Sequence, residues 1–273
     1  MLAQGAFQRG NPAMELEGKV ALVTGAGRGL GRATALALAE QGARVAALAR
    51  TLNEVEETAL LIRRQYGVGR SLAIRADVTH EQEVLVAFDT IRKRWGGVDI
   101  LVNNAGDPGG TRPIANLSLA EWQRALEVNL TGTFLCTREA IRDMARRRWG
   151  RIVNISSGSA AVPVPGMAPY SVAKAAVEHF TRQLAAEVEP LGIVAVALRP
   201  GVVDTRMQED IRNRTPDRIG PELRAMFAAY KQRGMLVAPD RPAHIIAYLC
   251  SDRPGNINGR VLDADEVEEL LVR

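Results

Sequence analysis

A tyrosine and a lysine lie four residues apart in the stretch PYSVAKAAVEHF, residues 169–180. Because side chains at i and i+4 share one face of an α-helix, we expect Tyr170 and Lys174 to be neighbours. A phenol with its ordinary pKa of about 10 is a poor base at neutral pH, but an adjacent ammonium group favours the phenolate. The pair therefore predicts a proton-transfer site centred on Tyr170, although the spacing alone also fits an ordinary helix surface.

A glycine-rich loop, TGAGRGLG (Thr24–Gly31), joins a short apolar run to a segment rich in Ala and Leu. Glycines at a strand–helix junction let backbone amides approach a pyrophosphate, which then lies at the positive end of the helix. The spacing is Gly25-x-x-x-Gly29-x-Gly31, and the last position of a G-x-G-x-x-G motif is taken by Leu30. We expect a dinucleotide on this loop; the alternative is a turn that only allows close helix–strand packing.

The end of the second predicted strand bears on the choice of nucleotide. NAD-binding proteins usually offer an Asp or Glu to the ribose hydroxyls about 20 residues past the glycines. This chain reads LART there, residues 48–51, without a carboxylate. Arg50 is placed to meet a 2′-phosphate, and Arg28 of the glycine loop is placed to flank it. The sequence therefore favours NADP(H) over NAD(H), unless both arginines are ordinary surface residues.

Short β-branched runs alternate with longer amphipathic segments along the chain. The predicted strands are 19–24, 44–49, 71–75, 98–103, 151–156, 193–199 and 260–262, and the predicted helices are 32–41, 51–66, 79–95, 118–147, 170–189 and 242–251. This alternation predicts an α/β fold with a Rossmann-type, doubly wound parallel sheet of about seven strands and helices on both faces. Three helix starts have capping-box spacing: Thr51 with Glu54, Thr79 with Gln82, and Ser118 with Glu121.

Composition marks no second domain, so residues 18–263 are predicted to form a single one. Residues 1–17 lack a basic start followed by a long apolar stretch and are interpreted as a flexible leader rather than a secretion signal. Residues 264–273 are interpreted as an acidic C-terminal tail. Residues 202–239 form a lid-like insert, either mobile over a ligand or part of ordinary packing. Its apolar residues have helical spacing: Leu223, Met226, Phe227 and Tyr230.

The composition excludes several classes of function. Of 273 residues, 47% are hydrophobic and 24% charged, and no apolar run reaches the roughly 20 residues of a membrane span, so we expect a cytoplasmic protein without membrane contact. Cys136 and Cys250, with three scattered histidines, predict neither a disulfide framework nor a metal site. With 4% aromatic residues and a net charge of +4, nucleic-acid binding is not expected.

The densest basic run consists of Arg142, Arg146, Arg147, Arg148 and Arg151. Cations are stabilised near a helix C-terminus, so the simplest interpretation is a solvated helix end. The alternative is a docking patch for an acidic partner such as a carrier protein.

Further motifs accompany the glycine loop and the Tyr170–Lys174 pair, and the whole set resembles that of the short-chain dehydrogenase/reductase family. They are Asp77-Val78, NNAG (103–106), Asn129, NISS (154–157) and PGVVDT (200–205). The resemblance covers about residues 15–263. It implies an oxidoreductase that moves hydride between a nicotinamide cofactor and a substrate carbon, while Tyr170 exchanges a proton with the substrate oxygen.

The resemblance also implies roles for single residues. Ser157, thirteen residues before Tyr170, would hydrogen-bond the substrate oxygen, and Asn129 would hold a water that relays protons to Lys174. Tyr170 and Lys174 would also contact the cofactor, Lys174 through the ribose hydroxyls beside the nicotinamide. Asn103 would steady the sheet beside the cofactor. The other implied cofactor contacts are Asp77 and Val78 at the adenine, Asn104, Ala105 and Gly106 in NNAG, and Pro200, Gly201, Val203 and Thr205 in the loop at the nicotinamide amide.

The expected substrate site lies between residues 107–113, residues 158–167 and the insert at 202–239. Its walls are mostly apolar: Val162, Pro163, Val164, Pro165, Met167, Val202 and Met207. They suit an aliphatic or ring ketone or an acyl chain, and NADPH favours reduction. A 3-oxoacyl-carrier-protein reductase, with the basic run as carrier contact, is one form of this prediction. A sugar or polyol dehydrogenase and a catalytically silent dinucleotide-binding protein are the alternatives.

The resemblance further implies a homodimer or homotetramer built on the long helices at 118–147 and 170–189. The last predicted strand departs from the family, because the usual glycine pair is replaced by the acidic sequence DADEVEE, residues 263–269. This departure leaves the catalytic assignment untouched. It puts in doubt the subunit contacts that the family often makes through its C-terminal strand.

Overall fold

A computed structural model describes residues 14–215 and 218–272. Its strands are β1 (Val20–Thr24), β2 (Arg44–Ala49), β3 (Ser71–Arg75), β4 (Ile100–Asn103), β5 (Gly150–Ile155), β6 (Ile193–Arg199) and β7 (Val261–Asp263). They pair in parallel in the order β3-β2-β1-β4-β5-β6-β7, which confirms the predicted sheet. The order reverses between β1 and β4, where open α/β sheets bind ligands beyond the carboxyl ends of their strands.

Helices cover both faces of this sheet. They are α1 (Gly29–Glu40), α2 (Leu52–Tyr66), α3 (Glu81–Trp95), α4 (Leu119–Leu126), α5 (Gly132–Arg147), α6 (Ala168–Val188), α7 (Arg206–Arg212), α8 (Pro221–Gln232), α9 (Asp240–Leu249) and α10 (Ala264–Val272). Successive residues of β1 point to opposite faces. Ala21 and Val23 join an apolar core with α1 and α9, whereas Val20 and Leu22 join a second core with α3 and α5.

The long helix predicted over residues 118–147 is confirmed, since the chain is helical from Leu119 to Arg147, but one of its turns is not α-helical. Between α4 and α5 the backbone widens into a π turn at Glu127–Thr131, in which the Gly132 N–H donates to the Glu127 carbonyl, five residues back. Such turns often occur at functional sites, and this one contains Asn129. The capping box at the start of α4 is confirmed, since Ser118 and Glu121 each accept a hydrogen bond from the other's backbone N–H.

The capping boxes predicted for α2 and α3 are wrong. Thr51 lies at the N-cap of α2 without a side-chain bond, and the Glu54 carboxylate is turned instead to Arg28 in the glycine loop, 3.6 Å away. Thr79 lies outside α3 and donates its hydroxyl to Asp77 Oδ1 at 2.8 Å. In both cases one member of the predicted capping box is bonded instead to a charged residue near the carboxyl ends of the strands: Glu54 to Arg28, and Thr79 to Asp77. Helix α1 also begins earlier than predicted, because the glycine loop runs directly into it.

The described parts of the two chain ends differ from the sequence interpretation. The segment interpreted as an acidic tail forms α10, which buries Val267 and receives hydrogen bonds from Arg241 of α9 at Asp265 and Glu268. Of the predicted leader, residues 1–13 lie outside the described residues, as do 216, 217 and 273. Leu16 is buried, and its N–H donates to the Gln41 carbonyl, so residues 14–17 are packed against the domain.

The insert at 202–239 contains α7 and α8, and its helical apolar spacing is confirmed. Leu223 and Phe227 of α8 pack with Ile211 of α7 and Met167 into a small separate core. A parallel bridge between Val203 and 237 closes the base of the insert. In the described part of the chain, no helix is both long and apolar enough to cross a membrane.

Candidate active site

A cleft of about 580 Å³ lies above the carboxyl ends of the strands, where the strand order reverses. It brings together every residue predicted to bind the cofactor and, of the four residues predicted to be catalytic, Ser157, Tyr170 and Lys174. Asn129 does not line the cleft; it is fully buried behind Gly106. One cavity therefore contains both the glycine loop and the tyrosine–lysine pair.

The glycine loop has a shape that only glycines allow. Gly25 and Gly29 have positive φ angles, of 65° and 53°, and a Cβ on Gly31 would lie 2.2 Å from the Gly25 carbonyl oxygen. Arg32 of α1 donates to the Gly27 carbonyl from its side chain, which holds the loop in place. The first turn of α1 contains no acidic residue, so its N-terminus presents only the positive end of the helix dipole to the cleft.

Two arginines stand on the side of the cleft formed by the ends of β2 and the glycine loop. Arg50 is 60% exposed and lies 3.9 Å from the Asp77 carboxylate, and Arg28 is paired with Glu54. Burial raises the pKa of Asp77, but hydrogen bonds from Thr79 and the charges of Arg124 and Arg50 outweigh it and hold that pKa below its ordinary value. Both arginines can thus reach an anion in the cleft, and each has a carboxylate competing for it.

The NNAG segment connects the strands beneath the cleft. Thr24 Oγ1 accepts hydrogen bonds from the backbone N–H groups of Asn104 and Ala105, each at 3.0 Å. Asn103 donates from Nδ2 to Thr137 of α5 at 3.0 Å and to Asn154 of β5 at 2.8 Å. Asn103 and Asn104 thus join the ends of β1, β4 and β5, and the segment reaches the cleft through Asn104, Ala105 and Gly106.

Ser157, Tyr170 and Lys174 form a contiguous set. Ser157 follows the end of β5; its hydroxyl lies near enough to Tyr170 to lower the pKa of that phenol, and it accepts a hydrogen bond from the Ser159 hydroxyl at 3.1 Å. Lys174 Nζ lies 5.6 Å from the centre of the Tyr170 ring and donates to the Ile155 carbonyl oxygen at 2.6 Å. The helical i, i+4 spacing therefore places the phenol and the ammonium group side by side, next to a serine hydroxyl.

The protein alone sets the pKa values of this set by burial. Burial raises the pKa of Tyr170 to about 12, against a small lowering by the Ser157 hydrogen bond, and lowers the pKa of Lys174 to about 8. The expectation that Lys174 brings the phenol pKa down is thus not met by the side chains of this chain. At neutral pH Tyr170 is a protonated phenol and Lys174 a buried ammonium group.

Asn129 occupies the π turn beside the loop at 107–113. Its Nδ2 donates to the carbonyl oxygens of Asp107 at 2.7 Å and Ala125 at 2.8 Å. Its Oδ1 is buried and has no hydrogen-bond partner among the residues that the structure describes. A buried acceptor left open in this way is suited to a bound water or hydroxyl.

The sequence did not single out every residue that shapes the cleft. Glu54 and Arg124 line it, and Arg124 extends from α4 toward both Asp77, at 3.9 Å, and Asp107, at 3.5 Å. Spacing within one helix does not indicate such contacts between elements. Glu178 was also not identified from the sequence; it bonds to the cleft residue Ser156 from behind the cleft wall. Its spacing could have indicated it, because Glu178 follows Lys174 by the same four residues that separate Lys174 from Tyr170.

Comparison with known proteins agrees with this geometry. The family model described as short chain dehydrogenase matches residues 19–216. A 3-oxoacyl-[acyl-carrier-protein] reductase of Aquifex aeolicus is 35% identical, covering 91% of this chain and 96% of its own length. A cis-4-hydroxycyclohexanecarboxylate dehydrogenase of Sinomonas cyclohexanicum is 36% identical, covering 90% and 95%. The crystal structure of a 3-ketoacyl-(acyl-carrier-protein) reductase from Brucella melitensis, complexed with NADH, superposes with a TM-score of 0.79 at 33% identity, covering 91% and 97%.

The chain therefore belongs to the short-chain dehydrogenase/reductase family and is an oxidoreductase. The family binds NAD or NADP, and the cleft fits such a group. A Cβ at Gly25 or Gly31 would collide with neighbouring protein atoms, so glycines allow this tight loop at the N-terminus of α1, where a pyrophosphate binds in such folds, and the arginines near the ends of β2 and β1 supply positive charge.

Proposed function

We propose that this protein is an NADP(H)-dependent oxidoreductase that reduces a ketone or 3-oxoacyl substrate to a secondary alcohol. The observation that carries the proposal is the grouping of Ser157, Tyr170 and the buried Lys174 in the same cleft as the glycine loop. A catalytically silent dinucleotide-binding protein has no need for this buried ammonium group, whose burial is costly.

The proton chemistry follows from the environment of the three side chains. Tyr170, with its pKa raised to about 12, holds its proton at neutral pH and donates it to the substrate oxygen. The Ser157 hydroxyl donates a hydrogen bond to the same oxygen and stabilises its developing charge. The Lys174 ammonium group stabilises the phenolate that remains. The bound dinucleotide supplies the hydride.

The preference for NADP(H) rests on Arg50 and Arg28. Arg50 is largely exposed at the edge of the cleft, and the end of β2 offers no carboxylate to a ribose 2′-hydroxyl. Arginine recognises phosphate through its forked N–H groups, so a 2′-phosphate would be held between these two side chains. Since the Brucella melitensis relative is complexed with NADH, NAD(H) is the alternative.

The substrate pocket favours an apolar substrate. Its inner wall combines Met167, Ile211 and Phe227 with the partly buried Val164, Met207 and Met226. Such a wall accommodates an aliphatic chain or a ring, in keeping with the names of the acyl-chain and cyclohexane relatives. A sugar or polyol would leave its hydroxyls without partners against these side chains.

If the substrate is a 3-oxoacyl thioester, the proposed partner is an acyl carrier protein. Every arginine of the predicted basic run is bonded within its own chain: Arg142 to Glu139, Arg146 to Asp143, Arg147 to Asp99, Arg148 to the Pro190 carbonyl, and Arg151 to Asp252. Arg142 and Arg146 are still more than half exposed, which leaves them accessible to an acidic surface.

We further propose a cytoplasmic homodimer or homotetramer, in which the exposed Phe134 of α5 and Val172 of α6 are covered.

The test is NADPH consumption against a panel of ring ketones, aliphatic ketones, keto-sugars and 3-oxoacyl thioesters of coenzyme A and of acyl carrier protein. We expect turnover of at least one apolar ketone or thioester and a loss of about 100-fold or more in Tyr170→Phe, with the dissociation constant of NADPH nearly unchanged. A panel without turnover, or an active Tyr170→Phe, would contradict the proposal; turnover of keto-sugars alone would replace the substrate class.

The cofactor preference has its own measurement. Arg50→Ala is expected to weaken NADPH binding at least tenfold and NADH binding by less than twofold, as titrated by nicotinamide fluorescence. Arg75→Ala, in an exposed arginine at the end of the neighbouring strand β3, is the matched control. An Arg50→Ala protein that keeps its NADPH preference would exclude this assignment.

A further inference from the structure

A buried ion pair lies directly behind the proposed catalytic residues. Glu178 follows Lys174 by one turn of α6, and its carboxylate is almost completely buried. Arg199, the last residue of β6, donates to Glu178 Oε1 from Nε at 2.8 Å and to Oε2 from Nη2 at 2.9 Å. This two-pronged geometry is the strongest that an arginine and a carboxylate form. The proposed reaction assigns no task to either residue.

The pair is bonded to the strand end that carries Ser157. Ser156 Oγ donates to Glu178 Oε1 at 2.7 Å, and the Ser156 backbone N–H donates to the Leu198 carbonyl, also at 2.7 Å. Ser156 lies between Ile155, whose carbonyl oxygen accepts the bond from Lys174, and Ser157, which lines the cleft together with Tyr170. Both of its neighbours therefore belong to the proposed proton-transfer site.

The same ion pair also contacts the acidic C-terminal segment, where the sequence departs from the family pattern. Arg199 Nη1 lies 3.4 Å from Asp263 Oδ2, at the end of β7. Arg199 also directly precedes Pro200 and Gly201, which line the cleft. Four elements thus meet at Glu178 and Arg199: the ends of β5, β6 and β7, and the middle of α6.

We propose that Glu178, held by Arg199, is a positioning residue that fixes the Ile155–Ser157 segment through Ser156, and so sets the geometry of Ser157 and Lys174. This inference rests on the proposed function. A carboxylate bonded at both oxygens has one orientation, and Ser156 transmits that orientation to the backbone on either side. The acidic C-terminal segment takes part through Asp263, which supplies Arg199 with a second anion.

Removal of Glu178 alone leaves the partly buried Arg199 with Asp263 as its remaining carboxylate partner among the described residues, so a loss of stability is expected in any case. The smaller change is therefore the decisive one. Ser156→Ala deletes a single hydroxyl and leaves the ion pair in place, whereas Ser156→Thr keeps the hydroxyl. We expect Ser156→Ala and Glu178→Gln to lower kcat at least tenfold, with the dissociation constant of NADPH within about threefold, and Ser156→Thr to restore most of kcat.

A matched control separates positioning from stability. Asp143 and Arg92 form a second buried ion pair, between α5 and α3, with Asp143 Oδ1 2.9 Å from Arg92 Nε. Asp143→Asn is expected to lower the melting temperature about as much as Glu178→Gln and to leave kcat within twofold. The alkaline limb of the pH profile of kcat, set by Lys174, is expected to shift in Ser156→Ala and to stay in place in Asp143→Asn.

The outcomes distinguish this inference from the reaction it rests on. A wild-type kcat and pH profile in Ser156→Ala would overturn the positioning role, provided that Tyr170→Phe is inactive in the same assay. An active Tyr170→Phe would overturn the proposed function itself. A loss of kcat in Asp143→Asn equal to that in Glu178→Gln would assign the effect to stability and would also overturn the positioning role.

Discussion

Lys174 donates a hydrogen bond from Nζ to the carbonyl oxygen of Ile155, at 2.6 Å, so the lysine of the proposed proton-transfer site is tied to the last residue of β5. This contact holds an ammonium group that is only 3% exposed next to Tyr170. A buried charge with one neutral partner destabilises the fold, which is the physical basis of its lowered pKa. The buried charge of the site thus lowers the free energy of unfolding of the protein.

Lys174→Met is expected to stabilise the protein at neutral pH while it abolishes activity. The pKa of Lys174 falls from 10.5 to about 8 on folding, which corresponds to roughly 3 kcal/mol, less about 1 kcal/mol for the lost bond to Ile155. Because the unfolded chain keeps its proton up to pH 10.5, this cost is fully present below pH 8 and disappears as the pH rises from 8 to 10.5.

The measurement is urea unfolding of Lys174→Met and wild type at pH 7 and pH 10. The variant should be more stable by roughly 2 kcal/mol at pH 7, and this advantage should shrink at pH 10. Lys93→Met, an exposed lysine paired with Asp89 on α3, is the control and should show no such trend. An advantage that does not change with pH would disagree with the burial argument.

Glu54→Gln is expected to improve NADPH binding. The Glu54 carboxylate lines the cleft and lies 3.6 Å from Arg28, so it competes with a 2′-phosphate for that guanidinium group and repels the phosphate. We expect the dissociation constant of NADPH to fall about fivefold, or about 1 kcal/mol, with that of NADH within twofold. Titration by nicotinamide fluorescence measures both constants.

Glu57→Gln provides the comparison for this change. Glu57 lies on the same helix α2 but pairs with Arg32, at 2.7 Å, and is not part of the cleft wall. It should leave both dissociation constants unchanged. If Glu54→Gln weakened NADPH binding instead, Glu54 would be holding Arg28 in its binding position rather than competing for it.

Contacts within one element could be predicted from the sequence. The i, i+4 spacing of Tyr170 and Lys174 and the S-x-x-E spacing of Ser118 and Glu121 each specify a neighbour inside a single helix, and both pairs are neighbours in the structure. The alternation of strands and helices likewise predicts the parallel sheet. These patterns are local, and local geometry determines them.

Contacts between elements could not be predicted in the same way. The spacing around Asn129 predicts a regular α-helix, and the π turn that the structure has instead occurs where the Asn129 side chain bonds to carbonyl oxygens of α4 and of the loop at 107–113. The Thr51–Glu54 spacing is that of a capping box, but Arg28 from another element attracts the carboxylate. Helix α10, by contrast, does have a signal in the sequence, the helical i, i+3, i+4 spacing of Val267, Leu270 and Leu271. The many acidic residues of this segment led to its interpretation as a tail instead.

Asn129→Ala is expected to reduce kcat by about tenfold to 100-fold and to destabilise the protein by about 1–3 kcal/mol. The change leaves the carbonyl oxygens of Asp107 and Ala125 without their donor in a buried place, and it removes the open acceptor Oδ1. Steady-state kinetics and urea unfolding measure the two effects separately.

Asn258→Ala is the matched variant for this change. Asn258 also makes two backbone hydrogen bonds, at 2.9 and 3.1 Å, but to Ala195 and Ala185, away from the cleft. It should lower stability to a similar degree and leave kcat within twofold. An Asn129→Ala protein with wild-type kcat would show that Asn129 only supports the π turn.

Arg214→Ala is expected to raise the KM of the ketone substrate without weakening cofactor binding. Arg214 Nη1 donates to the Gly109 carbonyl oxygen at 2.9 Å and to Thr111 Oγ1 at 2.7 Å, and so ties the insert at 202–239 to the loop at 107–113. The insert contributes Phe227 and other apolar side chains to the cleft wall, so a cut in this connection is expected to loosen that wall and to leave the glycine loop intact. We expect a KM at least fivefold higher and an NADPH dissociation constant within twofold. Arg224→Ala, in an exposed arginine of α8 on the same insert, should change neither constant. Equal effects of Arg214→Ala on substrate and NADPH would instead assign Arg214 to the stability of the whole cleft.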